Sequence, residues 1–405
     1  MHLTICLDGV SYRVVDNLWH RLQMRHRFTC KPVILTSQFP TNTNIALAKS
    51  LGFVSDSYEP EKFFDPEKNR VVSPGLRQVL CEFGLSNPET NYFRNHFEFT
   101  TSILGYGVSF FFPDYFVRRD LSVVAKNGRE RLFFYSAVTD SIGHSHGDPA
   151  LERVILQLDE VVSGLPEDMR LTIFSDHGMS RQTRTNLTHF DLETALRNFG
   201  YNPSRKIRNE KDIVINCVGL LSAIPLHCNP SQRQRLAEML ASQPEVLFSI
   251  ARTGDNKDSE LVVYGKHGRA VMQENGDSLV YSTRGKDPLN QGQYSGGRGA
   301  YYKLSCDSEY PYAIPRILDA FNNVRFPADI ILNLAFGYQH GPRAVNLLYG
   351  QLKSFVSTHG SLDRDSTNAF LLTNEPGLTK HTLEKEGSSY MRITDLDLVK
   401  LKQES

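Results

Sequence analysis

"RLFFYSAVTDSIGHSHGDPALERVILQLDEVVSGLPEDMRLTIFSDHGMS", residues 131–180, is the stretch from which the fold can be read. Its two ends, "RLFFYSAVTD" (131–140) and "RLTIFSDHG" (170–178), carry short β-rich apolar runs of the kind buried on both faces of a sheet. Between them, "PALERVILQLDEVVSGLP" brings back an apolar residue every three or four positions, at Leu151, Ile155, Leu158 and Val162. That spacing is one face of a helix, bounded here by prolines. Strand, crossover helix and strand make a βαβ unit, which calls for a mostly parallel sheet with helices covering its faces.

Working outward, "LTICLDG" (3–9), "KPVILTS" (31–37) and "NAFLLT" (368–373) read as further buried strands. The expected fold is therefore α/β, a three-layer αβα arrangement around a mostly parallel central sheet. From about 205 to 310 the texture changes. A helix-like "PSQRQRLAEMLASQ" (230–243) precedes "ELVVYGKHGRAVMQENGDSLVYSTRG", where apolar–polar alternation is interrupted at "HG" and "NGD" as in a β-meander. This predicts one domain over residues 1–405 with a smaller α+β subdomain inserted at about 205–310.

Composition excludes several classes. Lys+Arg and Asp+Glu number 45 each, so net charge gives no reason to expect a nucleic-acid polymer as partner. No run reaches the ~18 apolar residues of a membrane-spanning helix; the nearest, "FTTSILGYGVSFFFP" (99–113), is broken by Gly, Ser and Thr and reads as a buried segment or pocket wall. The six cysteines are scattered, without a C-x-x-C pair, as free thiols are in a reducing compartment. The opening "MHLTICLDGV" lacks a basic n-region and meets Asp8 early, which predicts no signal peptide and a cytoplasmic protein.

In open α/β sheets ligands bind beyond the carboxyl ends of the strands. Each candidate strand here leads to a metal-capable residue or a hydroxyl. The first ends at Asp8, the third at Asp140 with His144 four residues on, and the fourth at Asp176–His177. His359 sits in "STHGS" before the last strand, and the second strand leads into "SQFPTNTN" with Thr41 and Thr43. Singly, Asp8 reads as a turn residue and the two threonines as helix N-caps. His146 alternates away from His144, while His189, His227 and His267 lack a carboxylate nearby in sequence and read as surface or core histidines. Jointly, three Asp and three His at strand ends suit two N/O-ligand sites, zinc best and manganese as the carboxylate-rich alternative. Two ions about 4 Å apart would clamp an in-line displacement at phosphorus.

"DSIGHSHGDP", "FSDHGM" and the late "STHGSLDRD", preceded by "LDG" and "FPTNT", resemble the alkaline phosphatase superfamily in its type I phosphodiesterase and nucleotide pyrophosphatase branch. The resemblance runs through the chain in the family's order. It implies an alkaline phosphatase-like catalytic domain with one metal on Asp8, Asp176 and His177 and a second on Asp140, His144 and His359. It also implies Thr43 as the nucleophile and a small-molecule phosphate ester as substrate, cleaved as a diester or pyrophosphate through a phosphothreonine intermediate. The chain departs from the branch after Thr43, where "NIALAKSLG" replaces the Phe-Pro-Asn-His continuation; Asn44 is the candidate to offer its amide to the phosphate in its place. Within the superfamily, a phosphomonoesterase, phosphomutase or phosphonate hydrolase is the alternative. A catalytically silent ligand-binding module is the remote one.

Overall fold

The computed structural model describes residues 2–55, 57–59, 63–72, 98–99, 115, 117–119, 121–122, 131–181, 187–217, 219, 221–256, 259–341 and 355–399. An eight-stranded sheet organises the first half and the C-terminal end of the chain. In chain order its strands are β1 (His2–Leu7), β2 (Val33–Thr36), β3 (Glu98–Phe99), β4 (Arg131–Ser136), β5 (Arg170–Phe174), β6 (Asn368–Thr373), β7 (Leu383–Lys385) and β8 (Ser388–Arg392). Side by side they run β7-β8-β2-β6-β5-β1-β4-β3. β1 pairs in parallel with β4 and β5, β3 with β4, and β2 with β8. Only β6 and β7 run against the rest, β6 pairing antiparallel with both β2 and β5.

Both faces of this sheet are covered, which is why its strands read as continuous apolar runs. Along β1, Leu3, Ile5 and Leu7 point into one core while Cys6 joins the other; along β4, Phe134 and Phe133 divide the same way. The first core is closed by helix α1 (Tyr12–Leu18) and by the crossover between β4 and β5. The second is closed by α2 (Thr43–Ala48) through Ala46 and Leu47, and by the C-terminal Ile393, Leu396 and Leu398.

The crossover departs from its expected outline in one respect. β4 stops at Ser136, and a helix, α3 (Val138–His146), begins before Asp140 is reached. The strand expected to run to Asp140 therefore gives way to a helix that continues up to Gly147, whose φ of +67° breaks it from α4 (Asp148–Ser163). Along α4 the predicted Leu151, Ile155, Leu158 and Val162 are all buried.

The 205–310 stretch supplies seven strands of a second, nine-stranded sheet that runs from Asn202–Pro203 to Tyr294–Gly297 at its edges, with Ile330–Leu334 inserted between Ala223–His227 and Val246–Arg252. The expected meander is present as antiparallel Leu261–Gly265, Gly268–Asn275 and Ser278–Gly285. Helices cover this sheet too: Leu236 and Leu240 pack on one face, Ile314 and Ile317 on the other. Among the described residues no helix is long and apolar enough to cross a membrane. Of the uncharged run 99–113, residues 100–113 lie outside the described residues, as does Cys81; the other five cysteines form no disulfide with one another.

Candidate active site

The carboxyl edge of the eight-stranded sheet gathers all six metal-capable residues and the threonine. Asp8 follows β1, its N–H tied at 3.1 Å to the carbonyl of Ser136, the last residue of β4. The next residue must be a glycine: Gly9 has φ +69°, and a Cβ there would stand 3.0 Å from Asp140 Oδ1. Asp176 and His177 follow β5, the adjacent strand. Asp140 is not at a strand end; it occupies the first turn of α3, and His144 lies one turn further on the same helical face. His359 reaches the site because β6 is antiparallel. Asn368 at its start pairs with Thr36 at the end of β2, so the loop entering β6 lies at the edge where the parallel strands finish.

The six side chains are buried, Asp176 and His177 completely. His177 Nε2 lies 3.3 Å from Asp8 Oδ1 and 3.5 Å from Asp176 Oδ2. His359 Nε2 lies 3.4 Å from Asp140 Oδ1, and His144 Nε2 lies 3.6 Å from the same oxygen. Donor atoms within 4.8 Å of one another form two groups, Asp8–Asp176–His177 and Asp140–His177–His359. The first is the trio expected from the sequence. In the second, His177 takes the place expected of His144, which abuts Asp140 from its own helix. The ring of His177 stacks on that of His359 at 4.2 Å between centroids, so it stands between the two groups.

Each histidine is oriented by the backbone. Nδ1 of His144 faces Ser357 O at 2.9 Å, that of His177 faces Gly178 O at 3.0 Å, and that of His359 faces Thr41 O at 2.6 Å. Carbonyls accept only, so these contacts place the ring proton on Nδ1 and turn an Nε2 lone pair inward, as metal-binding imidazoles require. Asp176 is similarly divided. Oδ1 accepts from the N–H groups of Gly9 (3.2 Å) and His177 (3.0 Å), while Oδ2 is buried without a hydrogen bond. His177 Nε2 is likewise buried without one.

Crowding of like charge shows in the protonation equilibria. Burial, together with the negative charges of Asp176 and Asp140, pushes Asp8 up to about 8. For His177 burial opposes the charged ring, but Asp176, Asp8 and Asp140 outweigh it and raise the ring to about 10. Burial and the neighbouring His177 lower His359 to about 3. Three carboxylates, three inward imidazoles and two orphaned ligand atoms are a donor set that could hold metal ions.

Thr43 differs from the six in being half-buried, open to solvent on one side. It is the first residue of α2, and the cap is Asn42, whose side chain accepts from Ile45 N at 3.1 Å. Freed from capping, Thr43 Oγ1 donates to Asp8 Oδ1 at 3.3 Å. Thr41 is not a cap either; its Oγ1 accepts from Gly360 N at 2.7 Å, and its carbonyl is the one holding His359. Asn44 is turned away: its amide nitrogen donates to Ser55 Oγ and to Ser57 O, the latter at 2.9 Å. The substrate-binding role expected of that amide receives no support from its position.

The arrangement is an alkaline phosphatase-like α/β fold. Solved structures that share it over 99% of this chain include human ectonucleotide pyrophosphatase/phosphodiesterase 5, with 14% identity, a TM-score of 0.50 and 93% of that chain covered. The murine form of the same protein matches with 13% identity, a TM-score of 0.50 and 94% covered. Phosphonoacetate hydrolase from Sinorhizobium meliloti 1021, in complex with phosphonoformate, matches with 11% identity, a TM-score of 0.52 and 94% covered. No protein-family model and no curated protein matches the sequence.

Proposed function

We propose that this protein is a two-metal hydrolase that cleaves a phosphodiester or pyrophosphate bond through a phosphothreonine on Thr43. The observation that carries the reading is the half-buried Thr43 hydroxyl bonded at 3.3 Å to Asp8, at the rim of a buried set of three Asp and three His. Zinc ions, one on Asp8, Asp176 and His177 and one on Asp140, His144 and His359, would supply Lewis acidity toward the threonine hydroxyl and the phosphoryl oxygens. Asp8 Oδ1 orients the Thr43 hydroxyl; Thr43 Oγ1 releases its proton to solvent and forms the bond to phosphorus as the bond to the leaving oxygen breaks, and the leaving group takes up a proton from solvent and departs as an alcohol or a phosphate. Water then attacks the phosphothreonine from the opposite face and regenerates the hydroxyl. His144, His177 and His359 keep their backbone hydrogen bonds throughout, so the ligand geometry is set before substrate arrives.

The second sheet belongs to the same catalytic unit in this reading. Ser222, just before one of its strands, donates to His359 O through both N (2.9 Å) and Oγ (2.7 Å). In this reading the 205–310 stretch is an insertion that braces the loop carrying His359.

The phosphonate hydrolase among the structural neighbours, at a TM-score as high as that of the diesterases, supports a second reading as a phosphonate hydrolase. Turnover of bis-p-nitrophenyl phosphate, p-nitrophenyl phosphate and phosphonoacetate by zinc-loaded protein separates the cases. The diester should be cleaved fastest. Preference for phosphonoacetate would establish the second reading, and preference for the monoester a phosphatase.

A further inference from the structure

Asp8 has two carboxylate oxygens in different surroundings. Oδ1 faces Thr43 Oγ1 and His177 Nε2, each at 3.3 Å. Oδ2 accepts a hydrogen bond from the phenol of Tyr135. The same phenol oxygen lies 3.3 Å from Thr43 Oγ1. Strand alternation explains how Tyr135 arrives there. On β4, Phe133 and Tyr135 share the core that holds Cys6, Leu35 and Leu47, so the phenol extends beneath α2 toward the carboxyl edge.

We propose that Tyr135 is a positioning residue that makes Asp8 a one-oxygen metal ligand and aligns that oxygen with the Thr43 hydroxyl. The proposal rests on the reading of Asp8, Asp176 and His177 as ligands of one metal. Asp176 has one oxygen held by two backbone N–H groups, leaving the other for coordination. Among the described residues, the donor to Asp8 Oδ2 is the Tyr135 phenol. The two carboxylates are therefore divided alike, one by main chain and one by a side chain that mutation can remove. With Oδ2 held, rotation of the carboxylate is blocked, and Oδ1 stays where both His177 and Thr43 meet it. Tyr135 is 5% exposed, so water does not compete for the bond. Outer-shell partners of this kind are typically worth 10–100-fold in metal affinity or activity.

The test is Tyr135→Phe, which deletes one oxygen and leaves the ring in place. Zinc affinity is read by competition with a chromogenic chelator, separately from kcat and KM. The expected result is a folded protein in which one of two zinc sites weakens by ~10–100-fold and the other is unchanged. In the same variant kcat should fall by a similar factor with KM nearly constant. In an Asp8→Asn background the added effect of Tyr135→Phe on zinc should largely disappear, because the phenol acts through that carboxylate. Genetically encoded 3-fluorotyrosine at position 135 keeps the hydroxyl and should retain the affinity.

Wild-type zinc affinity and kcat in Tyr135→Phe would overturn the proposal and leave the two-metal reading standing. Effects that simply add to those of Asp8→Asn would do the same, as would a Tyr135→Phe chain that fails to fold. Wild-type protein that binds no zinc overturns the metal reading and the proposal together, and the wild-type titration alone reveals it.

Discussion

Thr43→Ala separates covalent catalysis from direct attack by water. The substitution removes Oγ1 and with it two long contacts, 3.3 Å to Asp8 and 3.3 Å to Tyr135, together about 1 kcal/mol or less of stability. It removes no cap, since Asn42 performs that role, and alanine is the better helix former. None of the six Asp and His side chains is altered. The fold and zinc content should therefore match wild type, while the only hydroxyl placed against Asp8 Oδ1 among the proposed site residues is gone. Loss of the nucleophile should lower kcat by at least ~1,000-fold, which corresponds to about 4 kcal/mol of transition-state stabilisation. Thr43→Ser, which retains the hydroxyl, should stay within ~10–100-fold of wild type. The assay is steady-state turnover of the preferred ester at saturating zinc, paired with hydrolysis of a substrate chiral at phosphorus. Two displacements through phosphothreonine give net retention. Near-normal turnover by Thr43→Ala, or inversion in the wild type, would refute the covalent step.

Other outcomes follow from the same geometry. Active protein should contain about two zinc-class ions per chain and lose activity in excess EDTA, as elemental analysis of dialysed samples can check. His359→Ala should reduce zinc content by about one ion and abolish most turnover while far-UV circular dichroism stays unchanged, because the ring contacts other site residues more than the core. Without metal, Asp8 (up to about 8) and His177 (up to about 10) hold protons that the unfolded chain has released. Metal-free stability should therefore fall as pH rises from about 4 through 8 for Asp8 and from about 6.5 through 10 for His177. His359, held near 3, acts in the opposite sense only below about 6.5. Urea midpoints in EDTA at pH 6.5 and pH 8 should show the decline, and equal midpoints would contradict it. Thiol titration of denatured, unreduced protein should find six free cysteines.

Local patterns in the chain were enough for five of the eight strands of the central sheet; Glu98–Phe99, Leu383–Lys385 and Ser388–Arg392 are too short or too polar to stand out as apolar runs. Strands such as Ile5 and Leu171 are buried from both sides, so they had to be apolar without interruption, and α4 had to repeat its apolar face at Leu151, Ile155, Leu158 and Val162. The strand ends pointed to Asp8, Asp176 and His177 because parallel strands deliver their following residues to one edge, whereas Thr43 read alone as a helix cap and was singled out by the resemblance to the superfamily. Tertiary structure decided what local spacing leaves open. Asp140 and His144 share a helical face because the chain begins α3 immediately after β4, and short apolar runs look alike as strand or helix. The direction of β6 is not written in "NAFLLT", since periodicity carries no polarity; only its antiparallel pairing brings His359 to the site. Asn44 reads as a polar neighbour of the nucleophile, yet packing against Ser55 and Ser57 turns its amide away. Tyr135 reads as one more aromatic in a buried strand. Its meeting with Asp8 joins residues 127 positions apart, a contact that exists only once β1 and β4 lie side by side.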